Sequence, residues 1–478
     1  MKSRLLAWVV GIGAVVAVSV SSAACGSTIV EVQAAPDGGL IDDVDAGDTT
    51  PEASAPACTP GATSACTCDG GTGKSVCDST GNVGTCQCPT SLTSHQVISI
   101  SNLSALEAET HLAMAPDGTM ASAWISISGG GGSDIGYVFS TDSGTTWTKP
   151  KTVGDASGRE SSDPVIAVDP QGNFYVTWIA FMRDMAGNAS DFVLYVSKAA
   201  AGQKTFGTPV SVDTFASGDK PWITVTAAGT ILVTCMQMAG SSAVLNAHRS
   251  TDKGATWSKS PIFTSTAGNQ ANFIVPCAPK TGTRIWASHL SVETDLLQRL
   301  HWSDDDGVTW PAANTKTFGI NSSITPATCV AKGNDLWLAY GQWTAQPASA
   351  DAPVDEYHVI HTTNGTTIDD VLASDTKTKQ QELGSLALDD ATGELALSYY
   401  AGDAEGASGN VRSVRSTNGG KTWSASTVVS ADLNFTSDRG SAKWLGDYFG
   451  SVLRGGTLFL TYGENADSVT HVAFSKTQ

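Results

Sequence analysis

Basic residues are scarce in this chain. Its 478 residues carry 27 Lys and Arg against 46 Asp and Glu, a formal net charge of −19. Nucleic-acid binding draws most of its affinity from Lys and Arg set against phosphates, so the charge argues against a nucleic-acid partner. Several catalytic signatures are missing as well. There is no H-E-x-x-H, no G-x-S-x-G elbow and no phosphate-binding P-loop, which removes the commonest zinc-peptidase, serine-hydrolase and nucleotide chemistries. Long apolar runs are limited to Leu5–Val20, short for a membrane span. Charged residues make up only 15% of the chain and Gly alone numbers 49. That balance, rich also in Ser and Thr, suits strands and turns, and a length beyond one ordinary domain calls for a repetitive all-β architecture.

The first segment places Lys2 and Arg4 before the apolar run and small residues after it, ending at Cys25. This is the order of a secretory signal, 1–24. Ser22-Ala23-Ala24-Cys25 resembles the bacterial lipobox, although Ser22 stands where Leu is usual. The resemblance implies acylation of Cys25 and an outer-membrane or cell-surface lipoprotein, since Gly26 and Ser27 follow in place of a retention Asp; the alternative is a free secreted protein. Residues 25–57 contain Asp42, Asp43, Asp45 and Asp48 but no Lys or Arg, and read as a solvated tether. Cys58, Cys66, Cys68, Cys77, Cys86 and Cys88 crowd residues 58–90. In an exported chain they predict a small disulfide module; a zinc site is the weaker reading, because the paired C-x-x-C of a ribbon is absent.

From residue 91 to 478 a repeat organises the chain. STDSGTTW from Ser140, STDKGATW from Ser250, SDDDGVTW from Ser303 and STNGGKTW from Ser416 recur at about 55 residues or twice that, with degenerate copies from Ser197 and Thr362 in the gaps. The third-position Asp142, Asp252, Asp305 or Asn418 can accept backbone N–H bonds in a hairpin turn, and the Gly two residues later supplies positive φ. These octets resemble the Asp-box of sialidase-superfamily β-propellers. In that superfamily the boxes lie away from the active face, so the resemblance implies the fold and leaves the activity open. A second repeat marks inner strands: ETHLAMAPDGTMASAWI from Glu109 aligns with DPVIAVDPQGNFYVTWI from Asp163, and weaker copies begin near Asp219, Asn272, Ser323, Leu383 and Gly446. The pattern predicts a seven-bladed propeller, or six blades if one copy is an insertion. HQVISIS from His95 is predicted to supply the last blade's missing strand.

The starts of inner strands gather at one mouth of a propeller channel. Alignment there brings together Glu109, Asp163 and Asp447, flanked by Asp219, Lys220, Asn272, Glu382 and Tyr448, with Arg159 and Arg439 just upstream. Two carboxyl groups could divide acid and base roles at a glycosidic bond. The oxygens could instead converge on calcium or a sugar, or each could cap its own blade corner. The resemblance does not carry over sialidase catalysis, because no R-I-P motif occurs and Glu109 stands where a substrate clamp wants positive charge. The expected function is therefore recognition of a glycan or extracellular protein ligand, with a glycoside hydrolase of altered site, or a structural envelope protein, as rivals. His111, His289, His301, His358 and His361 read as packing or exposed residues. Cys235, Cys277 and Cys329 fall in strands as buried thiols, with a Cys277–Cys329 bridge between adjacent blades as an alternative.

Overall fold

The structure, a computed structural model, describes residues 58–59, 62–68, 71–76 and 82–83 of the N-terminal part. Of the repeat region it describes 94–99, 106–128, 132–154, 157–292, 296–320, 325–344, 354–375, 380–402, 408–434, 442–465 and 469–478. The signal segment, Cys25, the tether and Arg439 lie outside these residues, as do the side chains of Glu382 and of every cysteine in 58–90 except Cys58, which is disulfide-bonded. The chain divides into two compact units, one of them Val15–Pro89 and the other containing Thr90–Gln478. In the smaller unit, Thr63–Cys68 and Gly71–Val76 pair as an antiparallel hairpin.

The larger unit is all-β, with seven antiparallel sheets and no helix among the described residues. Each sheet is one propeller blade. The inner strands of blades 1 to 7 are Leu106–Met114, Glu160–Val168, Gly218–Val225, Gln270–Cys277, Thr328–Lys332, Gln380–Leu388 and Gly450–Arg454. In blades 1 to 6 the chain then runs outward through consecutive strands. Blade 7 is completed differently: Ser94–Val97 pairs with His471–Thr477, so the first strand of the unit closes the last sheet. All seven inner-strand repeats are therefore real blades, and the closing strand falls where the sequence predicts it.

Aromatic residues fill the seams between blades. Trp124 and Trp178, equivalent in the two best-matching repeats, are 1% and 0% exposed, and each packs against the preceding blade. The octet turns are fastened in the same direction. Asp142 Oδ1 accepts from Thr146 N at 2.8 Å, and the buried Ser140 hydroxyl donates to Asp142 and accepts from Gly144 N at 2.9 Å. The equivalent bonds from Thr256 N to Asp252, Thr309 N to Asp305 and Thr422 N to Asn418 are 2.9, 2.9 and 3.0 Å. Gly144 has φ 78° and sits against Phe474 of blade 7, so close that a Cβ would lie 2.2 Å from the ring. A glycine is needed there both for the backbone angle and for the approach of one blade to the next. Cys277 and Cys329 form a disulfide joining the inner strands of blades 4 and 5, while Cys235 remains a buried free thiol.

Candidate functional site

The inner strands share a local irregularity near their starts. Pairing with the second strand skips between Ala108 and His111, Ser162 and Val165, Asp219 and Trp222, Asn272 and Val275, and Glu382 and Gly384. Each skip is a β-bulge, and its first residue has positive φ: Glu109 at 53°, Asp163 at 57°, Lys220 at 48°, Phe273 at 52° and Leu383 at 49°. Non-glycine residues rarely adopt this region, so five recurrences mark a conformation imposed by the fold. Asp219 and Asn272 assist it locally, each accepting from the amide of the following bulge residue, at 3.0 and 2.8 Å.

The bulge re-aims side chains toward the axis. Lys220 Nζ from blade 3 contacts Glu109 Oε1 of blade 1 at 2.6 Å, Asp163 Oδ1 of blade 2, and Asp447 Oδ2, which precedes the inner strand of blade 7, at 2.8 Å. Asp447 Oδ2 is close to the ammonium but off the direction of a hydrogen bond, and Glu109 Oε2 is buried without a donor. The four residues are 0–5% exposed. Blades 1 and 3 are not neighbours in the ring, nor are 3 and 7, so these contacts form only across the channel. Aromatic rings seal the same level: Trp222 meets His111 at 5.6 Å and Tyr448 at 5.1 Å, edge to face. Lys220 Nζ lies 5.6 Å from the Tyr448 ring centre and 6.0 Å from that of Phe273. The Tyr448 hydroxyl donates to the Pro164 carbonyl at 3.0 Å.

The electrostatics follow from burial. Burial pushes the Glu109 carboxyl well above the usual range, and Asp163 and Asp447 reinforce this against the pull of Lys220. Burial alone would depress the Lys220 ammonium, but the summed attraction of Asp163, Asp447, Glu109 and Asp219 raises it. The cation at the centre of the carboxylates is thus the chain's own lysine. Burial lowers His111 to about 4, and raises Tyr448 well above its ordinary value with help from the same acids.

The structure brings Glu109, Asp163, Lys220 and Asp447 together, with the Tyr448 ring over the ammonium and Asp219 beside it. The alignment that made Asp447 and Asp163 equivalent is shifted, however: the residues at the shared bulge are Glu109, Asp163, Lys220, Phe273 and Leu383. Pro164 and Pro221, each following a bulge residue, carried the signal that Lys220 and not Asp219 matches Asp163. Asp219 instead holds Asn272, whose Nδ2 donates to it at 2.8 Å. Arg159 stands apart, donating to the Asp191 carbonyl at 3.2 Å and to Ser157 Oγ at 2.7 Å. The backbone of Glu382 pairs with Tyr400. Among the described residues no group of three or more His, Cys, Asp or Glu is arranged to hold a metal ion.

Comparison with known proteins agrees with the fold. Over 80% of its length the chain resembles the crystal structure of a protein of unknown function from Dyadobacter fermentans, covering 98% of that chain at a TM-score of 0.51 and 14% identity. The Hadza microbial sialidase Hz136 is matched over 78% of this chain and 66% of its own length at 0.47 and 14% identity. An ulvan lyase of polysaccharide lyase family PL25 is matched over 78% and 94% at 0.49 and 10% identity. No family model and no curated protein sequence matches the chain. The class that the seven sheets define is a seven-bladed β-propeller.

Proposed function

We propose that the protein is an exported, lipid-anchored Asp-box propeller that recognises a glycan or extracellular protein ligand on the loop surface around its closed channel mouth, without turning it over. One observation carries the reading. The three carboxylates that could have served as an acid and base pair converge on Lys220 and are almost wholly buried. Glycoside hydrolysis in most families uses two carboxyl groups flanking a bound sugar, with a Tyr nucleophile in the sialidase exception; here the carboxyl groups face the Lys220 ammonium, and the Tyr448 hydroxyl is buried and donates to the Pro164 carbonyl. Ligand contact is thereby left to the rim. The glycan class rests on the octet resemblance, and the fold alone does not select it. Export is supported by the signal-like first segment and by the Cys277–Cys329 bridge, which suits an oxidising compartment.

The test combines a glycan array with a panel of aryl glycosides, sialosides included, on the purified full chain. Binding without turnover is expected. Turnover abolished by Asp163→Asn or Asp447→Asn would return the protein to the hydrolases, and neither binding nor turnover would favour a structural envelope role. For the anchor, Cys25→Ser should move the protein from the membrane to the soluble fraction; an unchanged distribution would count against acylation.

A further inference from the structure

We propose that Glu109 keeps its proton at neutral pH and donates it to the Asp163 carboxylate, and that this hydrogen bond, with Lys220, completes a clasp that fastens blades 1, 2, 3 and 7 on the channel axis. Three carboxyl groups meet one ammonium here. If all were ionised, the interior would hold an uncompensated negative charge, which is costly away from water. The Glu109 side chain is wholly buried, and its Oε2 finds no donor. Its carboxyl is nevertheless within hydrogen-bonding contact of the Asp163 carboxyl. Two buried carboxyl groups that meet in this way, both on the one Lys220 ammonium, are stabilised by a proton between them.

Apart from Lys220, the groups around Glu109 work in this direction or are neutral. Asp163 from blade 2 and Asp447 from blade 7 repel a second negative charge, while Asp219 acts on Lys220, whose ammonium it helps to hold charged. Tyr448, whose hydroxyl is spent on Pro164, and the Cys235 thiol are both raised by burial and stay uncharged. His111, on the same strand as Glu109, is lowered and carries no charge at neutral pH. Lys220 is the cation that opposes the proton, and it is already divided among three carboxyl groups.

The sign of the linkage follows. In the unfolded chain Glu109 titrates in the ordinary Glu range, and in the folded chain above it. The folded state therefore keeps a proton that the unfolded state has lost, so stability from this group is full at acidic pH and declines as pH rises toward the folded titration.

The experiment is infrared difference spectroscopy of the full chain across the pH range, with urea unfolding in parallel. A protonated-carboxylic-acid C=O band is expected to persist at neutral pH in the wild type, to disappear in Glu109→Gln, and to remain in the exposed control Asp117→Asn. Relative to Glu109→Gln, the wild-type unfolding constant should rise about tenfold per pH unit between the two titrations. Absence of the band at neutral pH, or a band unchanged by Glu109→Gln, overturns the proposal. If Glu109→Gln does not fold, Asp163→Asn is read instead: a shifted band supports a Glu109 proton donated to residue 163, and an unshifted one refutes it. Ligand binding enters none of these readouts, so failure here is distinct from failure of the functional reading.

Discussion

Lys220 is the residue on which the axial packing turns. Its ammonium is 5.6 Å from the Tyr448 ring centre and within contact distance of carboxyl groups from three other blades. Replacing it by Met would leave those groups buried and unpaired, and breaking a buried pair in this way costs about 3–5 kcal/mol. Lys220→Met is accordingly expected to lower the urea midpoint steeply. Adding Asp163→Asn and Asp447→Asn to it should recover much of the loss, because the penalty lies in the orphaned charges. A wild-type midpoint for Lys220→Met would mean that the ammonium holds nothing together. The acidic residues of this cluster were legible in the sequence because a repeat aligns like positions. Its centre, Lys220, was legible only as a flanking residue, because the alignment compared residue types, whereas the bulge fixes a conformation. Glu109, Asp163, Lys220, Phe273 and Leu383 share a φ near +50° and little chemistry.

At the scale of the blade, octet turn and preceding sheet form one unit. Gly118 and Gly144 both have positive φ, 91° and 78°, but a Cβ on Gly118 meets nothing, whereas one on Gly144 runs into Phe474. Both Gly→Ala variants should pay about 1–2 kcal/mol for the left-handed backbone. Gly144→Ala should pay about 1–3 kcal/mol more for overpacking the seam between blades 1 and 7. Equal midpoints in urea would show that the seam yields freely. Blade 4 carries a different strand-level feature. A chain of hydrogen bonds joins Thr315 Oγ1 to His301 Nδ1 at 3.0 Å, His301 Nε2 to His289 Nδ1 at 2.9 Å, and His289 Nε2 to Ser291 Oγ at 2.9 Å. Burial lowers both imidazoles, His289 well below its ordinary value and His301 to about 4, with Arg299 adding to each and His301 also to His289. The unfolded chain therefore binds protons on these histidines at a pH where the folded chain does not. Stability should fall on acidification from about pH 6.5 toward 4, by up to 1.4 kcal/mol per pH unit for each histidine. The double variant His289→Asn/His301→Asn should flatten that limb of the urea-midpoint profile. An unaltered slope would place the acid sensitivity elsewhere. The sequence marked these histidines only as packing residues, since their partners come from three different strands.

At the scale of the whole ring, the sequence made nearest-neighbour structure legible and left the cross-channel structure hidden. A repeat reports what each blade does to the next, so seven strand starts and the closing strand could be read from it. Contacts between blades 1 and 3 have no periodic signature. Among the described residues three long-range fastenings hold the ring: the axial cluster, the disulfide between blades 4 and 5, and the strand Ser94–Val97 on blade 7. The last two should fail in different ways. Cys277→Ala/Cys329→Ala removes a cross-link spanning 52 residues, and the loss of loop constraint should lower stability by about 2–4 kcal/mol in a protein that stays folded and keeps the wild-type state of association. Removing residues 94–99 strips blade 7 of its outer strand and exposes the edge of His471–Thr477. With it go the His95–Tyr462 hydrogen bond at 3.0 Å, the His95–Glu464 pair at 3.1 Å and the Gln96 bond to the Gly144 carbonyl at 2.5 Å. An unpaired strand edge templates association. The truncated chain is therefore expected to associate beyond the wild-type state in light scattering, and a synthetic peptide spanning 94–99 to reverse this by refilling the edge. A truncated chain with the wild-type scattering and urea midpoint would show that the ring closes without this strand.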